Sequence, residues 1–207
     1  MIDLYSSPTP NGRKISIMLE ELGVDFNPIL INLDKKEQFS EHFSKISPAN
    51  KIPVIVDNDN NQTVFESGAI LLYLAKKYDK FLNKDKYWEI IQWVFFQMAY
   101  VGPMLGQAHQ YLFYHPGKSK FAEDKTKGYA QHIYSILDKR LSKQEYFSDT
   151  YSIADISIWP WTARYERHQI NLHDYPNVLR WYKQISTRPA VIKLSLIHIS
   201  EPTRRPK

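Results

Sequence analysis

The chain of 207 residues contains no cysteine. That single absence excludes disulfide frameworks, cysteine-ligated metals and cysteine nucleophiles together. Long apolar runs are missing too: none approaches the ~18–20 uninterrupted apolar residues that span a bilayer, so no membrane partner is expected. The N-terminus, Met1-Ile2-Asp3-Leu4-Tyr5, lacks the basic region and apolar core of a secretory leader, which points to a cytoplasmic location. Glycine is scarce, at 7 residues, and no Gly-rich loop is present to cradle a phosphate. His42, His109, His132, His168 and His173 show neither metal-ligand spacing nor a partnered constellation, so no metal is expected.

What is present argues for a folded protein. Hydrophobic residues make up 43% and aromatics 14%, enough to build a sizeable core. The formal net charge is +5, but Lys and Asp/Glu are interspersed and no basic block is sustained, so nucleic acid is not an expected partner. Residues 194–204, Leu-Ser-Leu-Ile-His-Ile-Ser-Glu-Pro-Thr-Arg, resemble the in-frame translation of a transposase sequencing-library adapter. The expectation is that the natural reading frame breaks near Lys193 and that 194–207 is an artefactual tail, in which His198 has no functional meaning.

Two halves differ in texture. Residues 1–78 alternate short β-like runs, at 2–5, 28–33, 52–56 and 63–65, with helical patterns at about 12–22, 36–46 and 67–78. That order suggests a small sheet with helices on its faces, an α+β arrangement. Residues 79–86 are polar and read as a linker. Residues 87–193 are helical throughout. Trp88, Ile91, Phe95 and Met98 mark one face of a long helix that Gly102-Pro103 should kink. Tyr129, Ile133, Ile136, Leu137 and Leu141 mark a second helix, and Val178, Trp181, Tyr182 and Ile185 a later one.

Four places carry polar chemistry. The first is Tyr5-Ser-Ser-Pro-Thr-Pro-Asn-Gly-Arg-Lys14, a proline-bracketed turn that opens a helix and aims backbone N–H groups and a positive dipole end at a ligand. Helix starts of this kind often activate a thiolate. With no protein thiol available, any sulfur must arrive with the ligand. Thr9 has no neighbouring base to make it a nucleophile, but Thr9 and Asn11 can both donate hydrogen bonds to an anion. The second place is Ile52-Pro53, where proline heads an apolar run and belongs at a strand start or edge. The third is Glu66-Ser67, where Ser67 can cap the following helix and Glu66 can accept from an ammonium group. The fourth is Ser152-Ile-Ala-Asp155, a Ser-x-x-Asp pattern read as a structural capping box.

Taken in order and spacing, these residues resemble the cytosolic glutathione transferase superfamily, and within it the bacterial Nu class, whose members are disulfide-bond reductases. The resemblance covers about residues 1–193. It rests on residues 7–14, Gln38-Phe39, Ile46-Ser-Pro-Ala-Asn-Lys-Ile-Pro-Val-Ile-Val-Asp57, Phe65-Glu-Ser-Gly-Ala-Ile-Leu-Leu-Tyr-Leu-Ala75, Gly102-Pro-Met-Leu-Gly-Gln107 and Tyr151-Ser-Ile-Ala-Asp-Ile156. It implies a thioredoxin-like N-terminal domain, an all-α C-terminal domain and a homodimer. It also implies roles: Ile52-Pro53 as a cis-proline turn against the cysteinyl backbone of glutathione, Glu66 and Ser67 at the γ-glutamyl end, and Lys51 and Gln38 along the tripeptide. Thr9 and Asn11 would face the sulfur. Lys125 stands where relatives often carry an arginine reaching toward the ligand, preserving charge but not the bidentate fork.

The activity so implied is glutathione-dependent reduction of small disulfides, with glutathione as co-substrate. Alternatives from the same chemistry are conjugation of electrophiles and peroxide reduction. A non-catalytic glutathione-binding regulator is the alternative from another class.

Overall fold

The structure is a computed structural model that describes residues 1–193; the expectation about an artefactual tail lies outside them. The chain divides into two compact units, the first Met1–Leu82 and the second from Asn83 onward.

The first unit is built on a four-stranded sheet of order β2-β1-β3-β4, with β1 Ile2–Ser6, β2 Phe26–Leu30, β3 Val54–Asp57 and β4 Gln62–Phe65. β1 runs parallel to β2, with Ile2 opposite Phe26, and antiparallel to β3, with Tyr5 opposite Val54; β3 and β4 form an antiparallel pair. The parallel pair needs a crossover, which α1 (Pro10–Leu22) supplies. The helix opens with Pro10 at its first position, where a missing N–H is harmless, and closes on Gly23 at φ 68°, the left-handed cap that glycine adopts without strain. β2 begins and ends earlier than the apolar run 28–33 suggests. Pro28 sits inside it opposite Leu4, tolerated because β2 is an edge strand whose outer side needs no donor.

The helical pattern at 36–46 is broken. A single 3₁₀ turn covers Glu37–Phe39, and Ser40 adopts extended backbone and caps α2 (Glu41–Ile46), its hydroxyl accepting from the Phe43 amide at 3.3 Å. Serine competes for backbone hydrogen bonds, and so starts helices more readily than it continues them. α3 (Ser67–Tyr78) follows β4. Ile2 and Leu4 of β1, Ile15, Met18 and Leu19 of α1, Val54 and Ile55 of β3 and Ile70, Leu71 and Leu74 of α3 are all buried. Each such side chain contributes ~1.5–3 kcal/mol of transfer free energy, enough to override local preferences at the edges. A smaller cluster of Ile31, Phe43 and Val54, with Tyr5, Ile46 and Ile52 against it, holds α2 to the sheet.

The second unit contains α4 (Tyr87–Phe96), α5 (Gly102–Ala108), α6 (Lys120–Leu141), α7 (Ile153–Thr162) and α8 (Pro176–Ser186). Before Gly102-Pro103, where a kink is expected, Gln97–Val101 form a π-helical turn, and α5 opens at Gly102 with Pro103 in its first turn. Of the face expected on α4, Ile91 is buried, but Trp88 and Phe95 are corrected: they are 77% and 65% exposed, and Ile90 and Val94 are buried with Ile91 instead. α4 is apolar on most sides, so periodicity alone does not select the buried stripe.

The capping box is formed as read. The Ser152 hydroxyl accepts from the Ala154 amide at 3.3 Å, and Asp155 accepts from the Ser152 amide at 3.1 Å. Asp155 does more than close the box. Its other oxygen accepts from the Phe147 amide and the Trp181 indole at 3.1 and 2.8 Å. Burial pushes its carboxyl up to about 6, against the pull of these hydrogen bonds. Two histidines without a sequence partner find one in space. His109 and His168 stack at 4.7 Å and 14°, and His168 Nδ1 lies 3.1 Å from the Tyr134 hydroxyl.

Candidate functional site: a cleft at the start of two helices

The strand–turn–helix at 2–22 and the strand–helix junction at 62–78 both end at one cleft in the first unit. It is lined by Asn11, Ser47, Ala49, Lys51, Ile52, Pro53, Phe65, Glu66 and Ser67.

Thr9 sets the first wall. Its backbone is extended, its amide donates to Ser7 O at 2.7 Å, and its Oγ1 accepts from the Gly12 amide at 3.2 Å. Gly12 is required there, because a Cβ would collide with Ser6 Oγ and the Ser7 carbonyl oxygen. Asn11, one residue into the helix, lines the cleft beside the exposed amides of the first turn.

The second wall is the loop 47–53. Ser47 Oγ donates to Lys51 O at 2.8 Å and accepts from the Lys51 amide at 3.0 Å, and Asn50 takes the left-handed region at φ 54°. This clamp places Lys51 and Ile52 at the head of β3. The Ile52-Pro53 peptide is cis.

The third wall is the entry to α3. Glu66 precedes the helix at φ 70° and ψ 119°, a conformation that costs a non-glycine residue ~1–3 kcal/mol and is concentrated at ligand sites. The expectation that Ser67 caps α3 is corrected. Ser67 is the first residue of the helix, and its hydroxyl accepts from the ammonium of Lys14 at 3.1 Å. Lys14 is fully buried, and burial lowers its pKa to about 7 against the opposing pull of Glu66.

Six of the sequence-predicted residues therefore meet in one cleft: Asn11, Lys51, Ile52, Pro53, Glu66 and Ser67. Thr9 shapes its rim through the helix cap without lining it. Gln38 lies on the 3₁₀ turn before α2 and is not among the lining residues. Lys125 belongs to the second unit, on α6, with its ammonium 5.6 Å from the Phe121 ring and 5.9 Å from that of Tyr129. Sequence reasoning missed Lys14, Ser47 and Phe65. A signal for Lys14 existed: it sits three and four residues before Ile17 and Met18, inside the apolar stripe of α1. Among the described residues, no group of three or more His, Asp or Glu is placed to hold a metal, and no helix is long and apolar enough to cross a membrane.

A thioredoxin-like sheet with two helix starts converging on a polar cleft, followed by an all-helical unit, defines a glutathione transferase fold. The comparisons agree. The profile of the glutathione S-transferase N-terminal domain matches residues 1–76, and that of the C-terminal domain residues 100–189. The disulfide-bond oxidoreductase YfcG of Escherichia coli is 43% identical over 198 residues, 92% of each chain. The disulfide-bond oxidoreductase YghU of the same organism is 38% identical over 209 residues, covering 92% of this chain and 72% of its own. A solved Pseudomonas putida glutathione transferase with one glutathione disulfide bound per subunit superposes with a TM-score of 0.88 at 36% identity, over 93% of this chain and 90% of that one. A Burkholderia graminis glutathione transferase with two glutathione molecules bound per subunit gives 0.87 at 36% identity, over 99% and 89%. The chain belongs to the glutathione S-transferase family.

Proposed function

We propose that this protein is a glutathione-dependent disulfide-bond oxidoreductase of the Nu type, working with the thiolate of bound glutathione in the cytoplasm. The observation that carries the reading is a cleft built for a zwitterionic peptide in a chain with no cysteine. Glu66 and the α3 start offer an acceptor for an ammonium and donors for a carboxylate, the pair found at a γ-glutamyl end. The Ile52-Pro53 turn offers backbone to a cysteinyl residue, with Lys51 beside it and Gln38 toward the glycyl side. Thr9, Asn11 and the first turn of α1 face the sulfur. The names of the two Escherichia coli relatives and the glutathiones in the two solved relatives support this assignment.

A free thiol has a pKa of ~8.5, and each unit by which it is lowered takes about 1.4 kcal/mol of differential stabilisation. A hydroxyl, an amide and a helix N-terminus supply stabilisation of that order to an anion. The bound thiolate attacks one sulfur of a small disulfide, forming a mixed disulfide and releasing the other sulfur as a thiol. A second glutathione thiolate then attacks the glutathione sulfur of the mixed disulfide, giving oxidised glutathione and the second thiol. We further propose a homodimer, supported by the aromatic face that Trp88 and Phe95 expose seven residues apart on α4. Lys125 is assigned a contact with the ligand on resemblance alone.

The test compares turnover with glutathione on 2-hydroxyethyl disulfide and on 1-chloro-2,4-dinitrobenzene. Faster disulfide reduction, unaffected by prior treatment of the protein with iodoacetamide, is the expected outcome. Faster attack on the aryl chloride would make conjugation the function. Tight glutathione binding with negligible turnover on both would make the protein a regulator.

A further inference from the structure

We propose that Ser47, the residue that follows α2, is a positioning residue: its hydroxyl ties down the main chain of Lys51 and so presents the Ile52 amide and carbonyl to the backbone of a bound peptide. The inference rests on the glutathione reading and concerns how firmly the cysteinyl backbone is held.

Ser47 is anchored on both sides. Its amide donates to Phe43 O at 2.9 Å, and its carbonyl accepts from the Asn50 amide at 2.9 Å. Phe43 is buried in one cluster with Ile31 and Val54, so this end of α2 is fixed to the sheet. Ser47 itself is 2% exposed and lines the cleft together with Lys51 and Ile52. Its Oγ stands between the two main-chain groups of Lys51, 2.8 Å from the carbonyl oxygen and 3.0 Å from the amide nitrogen.

A hydroxyl has one donor and two acceptor positions. The Ser47 proton goes to Lys51 O and one lone pair takes the Lys51 amide, so a single oxygen closes the loop 47–51 in both directions. The Lys51 amide is thereby spent inside the protein. Ile52, the next residue, is the opposite case. Among the described residues neither its amide nor its carbonyl has a hydrogen-bond partner, and β3 begins only at Val54. Pro53 has no N–H, which makes the Ile52 amide the last donor before the strand. A residue that offers both main-chain groups pairs with one residue of an extended peptide, as in a single rung of a sheet.

The Ser47 hydroxyl is what holds that rung in line. The loop has two other ties, the Asn50–Ser47 backbone bond and the Ser44 hydroxyl donating to Asn50 Oδ1 at 2.8 Å, and neither reaches Lys51. Asn50 takes φ 54°, so the chain turns sharply immediately before Lys51. Without the hydroxyl, the Lys51 peptide is free to rotate about that turn and carries the Ile52 amide out of position. Preorganisation of this kind lowers the ordering cost of binding, and it serves ground state and transition state alike. Ser47 therefore acts on affinity and not on the chemical step at the sulfur.

Amide hydrogen exchange of the full chain, with and without S-methylglutathione, tests this first in the wild type. Without ligand the Lys51 amide should be protected and the Ile52 amide should exchange fast; the ligand should then protect Ile52. A protected Ile52 amide or an open Lys51 amide in the ligand-free protein overturns the inference without any variant. By calorimetry, Ser47→Ala should bind S-methylglutathione about tenfold more weakly, the scale of one or two neutral hydrogen bonds. Its KM for glutathione should rise in step, with kcat at saturation little changed. Ser47→Thr, which keeps the hydroxyl, should recover both, and Ser44→Ala, which releases only Asn50, should stay near wild type. Unchanged affinity in Ser47→Ala, a fall in its kcat at unchanged KM, no recovery in Ser47→Thr, or an equal loss in Ser44→Ala overturns the inference. Absence of any binding by the wild type overturns the glutathione reading, and this inference with it.

Discussion

Thr9 Oγ1 accepts the Gly12 amide proton at 3.2 Å, so one hydroxyl both caps α1 and keeps its own proton for another acceptor. Capping and sulfur activation therefore separate by substitution. Thr9→Ala should lose ~1 kcal/mol of stability with the cap, whereas Asn11→Ala, off the cap, should not. On the proposed assignment both should slow disulfide reduction by ~10-fold or more, because each would remove a donor from the thiolate. Thr9→Ser should restore cap and rate. Urea midpoints and the ultraviolet absorbance of the bound thiolate against pH read the two effects. Unchanged rates in both alanine variants would sink the assignment of Thr9 and Asn11.

The stacked pair His109 and His168 makes the second unit acid-sensitive. Burial lowers His109 to about 4, reinforced by Arg167 and Arg164, and burial with the neighbouring His109 lowers His168 well below its ordinary value. Below about 6.5 the unfolded chain binds protons that the folded chain refuses, so stability falls as pH drops from 6.5 toward 4. Asp155 has the opposite sign: its folded value of about 6 exceeds its ordinary 3.8, so its protonation favours the fold in the same window. With two groups against one, the net slope should be downward on acidification. His109→Phe, which retains a ring to stack on Trp161, should flatten the loss between pH 7 and 5 in urea titrations.

Asp155 accepts four hydrogen bonds in a site with no exposure. Asp155→Ala strands the Phe147 amide and the Trp181 indole, and should cost ~3 kcal/mol or more, against ~1 kcal/mol for Ser152→Ala. Differential scanning calorimetry of the two variants gives the ordering. Equal losses would reduce Asp155 to a capping residue.

Trp88 and Phe95 project from one side of α4 into solvent in the single chain. If that face joins two copies, Trp88→Arg with Phe95→Arg should give a folded monomer in sedimentation equilibrium where the wild type gives a dimer. A dimer that survives both substitutions places the interface elsewhere.

The parts of this protein that local chemistry specifies were legible. The proline-bracketed turn at 5–14 opens a helix, and Ser152-x-x-Asp155 forms its box, because each depends on neighbours a few residues away. Failures occurred where distant packing decides. Ser67 looks like a helix cap until Lys14 takes its hydroxyl and Glu66 occupies the cap position. The α4 stripe through Trp88, Ile91 and Phe95 had helical spacing, but packing buried Ile91 together with Ile90 and Val94 and left Trp88 and Phe95 outside. His109 and His168 are 59 residues apart, and no spacing rule joins them.

The sequence by itself determined that any sulfur chemistry must use a sulfur brought by a ligand, because the absence of cysteine is a covalent fact that no folding alters. Tertiary structure decided what surrounds that ligand. Lys14 reaches Ser67 only because apolar burial packs α1 against α3, and desolvation in that packing moves the lysine's proton affinity toward neutrality.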